Sequence, residues 1–230
     1  MARKEIGVVL AHGAWADGSS WSKVIMLLAT HGVHSIAAQL PLSTLADDVA
    51  SVDRAIDRIG GPVILVGHAY GGTVIGATRH SAVKSLVFVA GVAPAEGEAA
   101  AEAAYRGEQH PLAPKLAPDR DGWVWFPESA FASAFAPDAT AEEQAILAAV
   151  QKPASVGAIG VKVGPTRWKD LPSWYVLAEH DRVVTPANQR FMAERMGATI
   201  RPIETDHTPI ITAPDPVVSV ILEAIQAISH

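Results

Sequence analysis

Apolar residues fall along this chain in two rhythms. Short continuous runs, several rich in β-branched residues, occupy Ile6–Ala11, about 33–38, Val63–Gly67, Lys84–Ala90, Ser173–Ala178 and Thr199–Ile203, and read as strands buried on both faces of a sheet. Between them the spacing turns helical. Trp21, Val24, Ile25 and Leu28 share one face up to Gly32, and Leu45, Val49, Val52, Ile56 and Ile59 recur at gaps of four and three. Thr44 and Asp47 stand where a capping box would open the second of these helices. Thr185-Pro186 begins a helix that stops at Gly197, and Asp215-Pro216 begins a last one with Val217, Ile221, Ala224, Ile225 and Ile228 on one face.

Six strands alternating with helices predict an α/β fold, a mostly parallel six-stranded sheet with helices on both faces, in a single domain over 1–230. From about 91 to 164 the rhythm breaks. Prolines and alanines dominate there, and Trp123, Trp125, Phe126, Phe131 and Phe135 crowd together. We read this stretch as a small inserted lid. One helix is legible within it, opened by Thr140-Ala-Glu-Glu143 and carrying Ile146, Leu147 and Val150. Its aromatics form a satellite core or else line a site; in the second case the pocket is apolar and suits a hydrophobic or aromatic group, with Trp15 and Tyr70 also facing it.

Composition narrows the partners. A net charge of −6 without a Lys/Arg run argues against nucleic acid and against an anionic membrane surface. A hydrophobic small molecule is the expected partner, and a homodimer is left open. With no cysteine there is no disulfide, thiolate metal site or cysteine nucleophile. Met-Ala-Arg-Lys-Glu leads into an apolar run too brief for a secretory leader, so a cytoplasmic location is expected. His31 and His34 lack a third ligand, and Gly67–Gly76 lacks dinucleotide-loop spacing, so neither metal nor organic cofactor is expected.

The chemistry centres on Val63-Ile-Leu-Val-Gly67-His68-Ala69-Tyr70-Gly71-Gly72. A strand, a glycine-framed turn and a helix make a nucleophile elbow, in which G-x-S-x-G puts a serine on a strained turn. Here Ala69 holds the serine's place. His12, Ala69, Asp181 and His207 each follow a predicted strand, which gathers them at the carboxyl edge of the sheet, where α/β proteins bind ligands.

The order of position 69, acid and histidine resembles that of the α/β-hydrolases. The chain is similar to them over its full length, and more narrowly to small bacterial esterase-like proteins related to plant methyl esterases and hydroxynitrile lyases. The resemblance is carried by His12-Gly-Ala-Trp15 with Trp21, the Gly67–Gly72 elbow, Trp174–Asp181, Gln189–Arg195 and Asp206-His207. It lacks the larger fold's leading hairpin. The resemblance implies a carboxylic-ester hydrolase acting on an ester or lactone: His207 as general base, Asp181 fixing its tautomer, and the backbone N–H groups of Ala14 and Tyr70 as oxyanion hole. Glu179 and Asp206 are poorer candidates for the acid, and His12 and His68 read as packing residues. Without a serine oxygen the chain is expected to be nearly inactive.

Ala69 admits two readings, a natural relative whose elbow is only structural, or a serine-to-alanine exchange made to hold substrate intact. Base, acid and oxyanion segments are retained together, which favours the exchange. A ligand-binding protein without turnover, and a lyase or cofactor-free oxygenase using His207 directly, are the alternatives. Thr208 stands where the lyases carry a lysine, which lowers the lyase reading.

Overall fold

The computed structural model describes residues 5–229; Met1–Lys4, the start of the segment inspected for a leader, lies outside them. The chain opens with β1 (Gly7–Ala11), α1 (Ser22–Thr30), β2 (Ser35–Ala38), α2 (Leu45–Ile59), β3 (Val63–His68), α3 (Tyr70–Ala77) and β4 (Val83–Val89). It resumes the alternation with β7 (Ser173–Ala178), α7 (Pro186–Met196), β8 (Thr199–Ile203), α8 (Pro209–Thr212) and α9 (Pro214–Ile228). Between these two stretches lie α4 (Ala100–Ala104), β5 (Trp123–Val124), α5 (Ala141–Val150), β6 (Ala154–Ser155) and α6 (Val156–Ile159).

The six long strands form one parallel sheet in the order β2-β1-β3-β4-β7-β8. Every residue of β1, β3 and β7 is buried, because helical layers cover both faces, and this accounts for their unbroken apolar runs. At the edge, β8 exposes Arg201 and Pro202. α1 packs with α9, and α2 with α3. Among the described residues no helix is long and apolar enough to cross a membrane.

The caps form unequally. At α5 the box is complete, with Glu143 N–H donating to Thr140 Oγ1 at 3.2 Å and Thr140 N–H to Glu143 Oε2 at 2.9 Å. At α2 only half forms. Asp47 N–H donates to Thr44 Oγ1, but the Asp47 carboxylate turns to the Thr44 and Ser43 hydroxyls at 2.7 and 3.0 Å.

Register aligns the strand ends that matter. Ala11 lies beside Gly67, His68 beside Val89, and Ala178 beside Ile203. The four non-glycine residues with positive φ among the described residues, Trp15, Leu42, Ala69 and Ala90, follow β1, β2, β3 and β4 in turn. Such conformations cost about 1–3 kcal/mol each and persist only where the surroundings over-determine them. Backbone strain is thus gathered at one edge of the sheet.

Candidate active site

Close packing builds the elbow first. A Cβ on Gly67 would meet the Gly71 carbonyl carbon at 2.5 Å, and one on Gly71 would meet the Ala11 carbonyl oxygen at 2.3 Å. Strand and helix therefore approach as only glycines allow. Between them Ala69 is forced to φ 46° and ψ −120°. Its N–H donates to Val89 O at 3.2 Å, and its carbonyl accepts from Val92 N–H at 2.8 Å and Gly72 N–H at 2.9 Å. Tyr70 is the first residue of α3, so its N–H has no acceptor within the helix.

Asp181 and His207 meet in the buried interior. His207 Nδ1 lies 2.7 Å from Asp181 Oδ2, and both side chains are almost wholly shielded. Asp181 Oδ1 accepts the N–H groups of Val183 at 2.7 Å and Val184 at 2.9 Å, while Gln189 Nε2 donates to Oδ2 at 2.7 Å. Gln189 Oε1 in turn accepts Ala178 N–H at 3.0 Å. These donors hold an ionised carboxylate in place, so that His207 Nδ1 carries the proton toward Asp181 and leaves Nε2 free as a base. Glu179 points elsewhere and pairs with Arg190 at 2.7 Å. Asp206 accepts from Thr208, Thr212 and the Asp138 N–H. Burial raises its carboxyl above the usual range against those hydrogen bonds.

The two histidines read as packing residues hold loops. His12 takes the Leu40 N–H on Nε2 at 3.0 Å and places Nδ1 2.8 Å from Gly13 O, which puts the proton on Nδ1. Burial lowers its pKa to about 4. His68 Nε2 lies 2.7 Å from the His207 carbonyl, so it donates there and anchors the loop that carries His207. Burial, then the neighbouring His207, lower the His68 pKa to about 3.

A cavity of about 40 Å³ opens between these groups. Ala69, His207, Ala14, Trp15 and Tyr70 wall one side; Val92, Val183, Val184, Ile159, Tyr105 and the α4 alanines Ala100, Ala101 and Ala104 wall the rest. Burial pushes the Tyr105 phenol up to about 12. The expected aromatic lining is corrected here. Only Trp15 and Tyr70 of that set reach the cavity; Trp123, Trp125, Phe126, Phe131 and Phe135 do not. Phe126, Phe131 and Phe135 pack on one another at 5.0–5.3 Å, and Phe126 on Trp15 at 5.2 Å, so they are core residues, continuous with the main core rather than a satellite of it. Trp125 is half exposed. Phe135 does set its edge against the His207 ring at 5.3 Å. Even Tyr70 turns its hydroxyl away, to Asp48 Oδ2 at 2.7 Å.

Gln189, Asp48 and the α4 alanines carried no assigned role in the sequence. The run of alanines at 99–104 was the available signal, since a helix without long side chains leaves space beside it.

The sequence pattern of the alpha/beta hydrolase family matches residues 8–220. The chain belongs to this family. A protein of Phoma sp. named as a probable hydrolase is 26% identical over 242 residues, spanning 94% of this chain and 96% of its own. Among solved structures, a pyrethroid hydrolase from Sphingobium faniae superposes with a TM-score of 0.83 at 21% identity, covering 97% of this chain and 99% of its own. A methylesterase from Arabidopsis gives 0.76 at 18% identity, covering 97% and 100%. At such identities these two likenesses are of fold.

Proposed function

We propose that this is a carboxylic-ester hydrolase site, for an ester or lactone of a neutral hydrophobic molecule, with its nucleophile position occupied by alanine. One observation carries the reading: Ala69 sits on a strained elbow and opens onto the same apolar cavity as His207, whose far nitrogen is held by Asp181. Placing an oxygen on the Ala69 Cβ would complete a Ser-His-Asp triad. That oxygen would attack the substrate carbonyl while His207 Nε2 takes its proton; the Ala14 and Tyr70 N–H groups would hold the oxyanion, and His207 would return the proton to the leaving alkoxide. Water would then release the acyl group by the same steps.

As written the chain has no atom to form the acyl bond. Loss of a triad nucleophile leaves at best about 10³- to 10⁴-fold acceleration over water. We therefore read Ala69 as a serine-to-alanine exchange in an otherwise complete site. The cavity's apolar walls favour an uncharged, hydrophobic substrate. The names of the neighbours in fold, a pyrethroid hydrolase and a methylesterase, point the same way.

The intact Asp181–His207 pair beside Ala69 also favours a second reading, in which His207 acts directly on a bound molecule without hydrolysis. The experiment is hydrolysis of a short-chain and an aromatic chromogenic ester by this chain and by Ala69→Ser. Turnover in the serine form alone is expected. A folded Ala69→Ser protein that cleaves neither ester overturns the esterase reading and moves the balance to the second one, or to a binder.

A further inference from the structure

The loop after β2 lies between the candidate oxyanion hole and the 91–164 segment, and its polar atoms serve the two sides separately. Its N–H groups point to the site. Leu40 N–H donates to His12 Nε2 at 3.0 Å, and His12 Nδ1 holds Gly13 O, one residue before Ala14. Leu42 N–H donates to Asp48 Oδ1 at 2.8 Å, and Asp48 Oδ2 accepts the Tyr70 hydroxyl at 2.7 Å. Pro41 between them has no N–H to divert. The loop's carbonyls face the other way. The Lys152 ammonium donates to Leu40 O, Ser155 N–H to Leu42 O at 2.9 Å, and Ser155 Oγ to Ser43 O at 2.7 Å. Leu40, Leu42 and Asp48 are fully buried, and Leu42 is held at φ 60°.

We propose that residues 40–43 form a strap through which the seating of Lys152 and Ser155 sets the directions of the Ala14 and Tyr70 N–H groups, with Asp48 as the positioning residue for Tyr70. The oxyanion role of those N–H groups rests on the function proposed above; the mechanical coupling does not. An oxyanion hole works when both donors aim at one point, about 2.7–3.1 Å from the developing charge, and a misplacement of about 1 Å can cost about 10²-fold in rate. Here His12 holds the peptide that carries the Ala14 N–H, and Asp48 holds Tyr70 through its hydroxyl; both side chains hang on the same loop. A carboxylate suits position 48 because it only accepts, and both groups it meets are donors. Asparagine there would turn an NH₂ toward one of them.

The test reads the two amides directly in the Ala69 protein. Backbone ¹H–¹⁵N resonances of Ala14 and Tyr70 are compared in the parent, Asp48→Asn and Lys152→Met. Lys152→Met lies outside the site and carries the same readout if Asp48→Asn does not fold. Both amides are expected to move in Lys152→Met, although Lys152 bonds to neither residue, and Lys152→Arg is expected to return them toward the parent. An Ala14 amide that stays in place in the folded variants overturns the proposal and leaves Asp48 a local tie.

In the Ala69→Ser background, Asp48→Asn and Lys152→Met are expected to lower kcat about 10-fold with KM within about twofold. Unchanged kcat per folded site, in a serine form that does cleave ester, overturns the link to catalysis. A serine form that cleaves nothing counts against the esterase reading, and the amide shifts then decide the strap alone.

Discussion

Acid should unfold this protein early, because the fold keeps two buried imidazoles neutral. Burial carries His12 from 6.5 to about 4 and His68 to about 3. Between those values and 6.5 the unfolded chain binds protons that the native state refuses. Stability from these residues is therefore complete above about pH 6.5 and is lost as pH falls toward the folded values. One unit corresponds to about 1.4 kcal/mol, so carrying the pH from about 6.5 down to the folded values removes about 3 kcal/mol through His12, and an amount of the same order through His68. A loss of that order is a large share of the whole stability of a domain, about 5–15 kcal/mol.

Asp48 and Asp206 oppose this. Burial raises both above 3.8 despite their hydrogen bonds, so the native state gains protons at those carboxyls on acidification. Once the unfolded histidines are protonated, toward pH 5, the imidazole slope approaches about 2.7 kcal/mol per pH unit, against which the two carboxyls act. Urea unfolding at pH 7.5, 6.5, 6.0, 5.5 and 5.0, as chosen conditions, measures it. His68→Gln, which can still donate to the His207 carbonyl, should halve that slope. A free energy of unfolding that stays level from pH 7 to 5, or a slope that His68→Gln leaves unchanged, would refute the reasoning.

Gly71→Ala would bring a methyl within 2.3 Å of the Ala11 carbonyl oxygen, and should cost about 3 kcal/mol or more in urea unfolding. Phe135→Ala should cost about 3–5 kcal/mol, measured the same way, because it opens the aromatic cluster beside His207. In the Ala69→Ser form, Asp181→Asn should lower kcat by about 10⁴-fold through the wrong histidine tautomer, read by steady-state kinetics. Ala101→Leu, on a part-exposed face of the cavity wall, should weaken binding of an aromatic ester by calorimetry while leaving the urea midpoint in place.

Much of the frame was legible because local pattern and global position agree. The β1, β3 and β7 runs are continuous since both faces are covered, and Thr140 with Glu143 announces α5 by a bond made within one turn. Placement of His12, Ala69, Asp181 and His207 after strands was enough to bring them to one edge. What stayed hidden depends on partners far apart in the chain. Asp48 meets Tyr70, and Asn188 on α7 donates to the Ala103 carbonyl that helps fix α4; no local period encodes either pair. The short β5–β6 pairing of Trp123 with Ser155 is equally non-local. The phenylalanines were ambiguous for a physical reason, since burial in a core and burial around a ligand select the same residue types.

The outer strand β8 has a consequence for self-association. An open sheet can in principle extend by docking a second copy along its rim, the route that leads to continuous-sheet dimers and, unchecked, to fibrils. Here the rim strand carries a proline, which has no N–H to offer a newcomer, next to an exposed arginine tied to Glu223 at 2.6 Å. A pair of these molecules would have to meet elsewhere than along β8, and crowding should not feed growth strand by strand from that side.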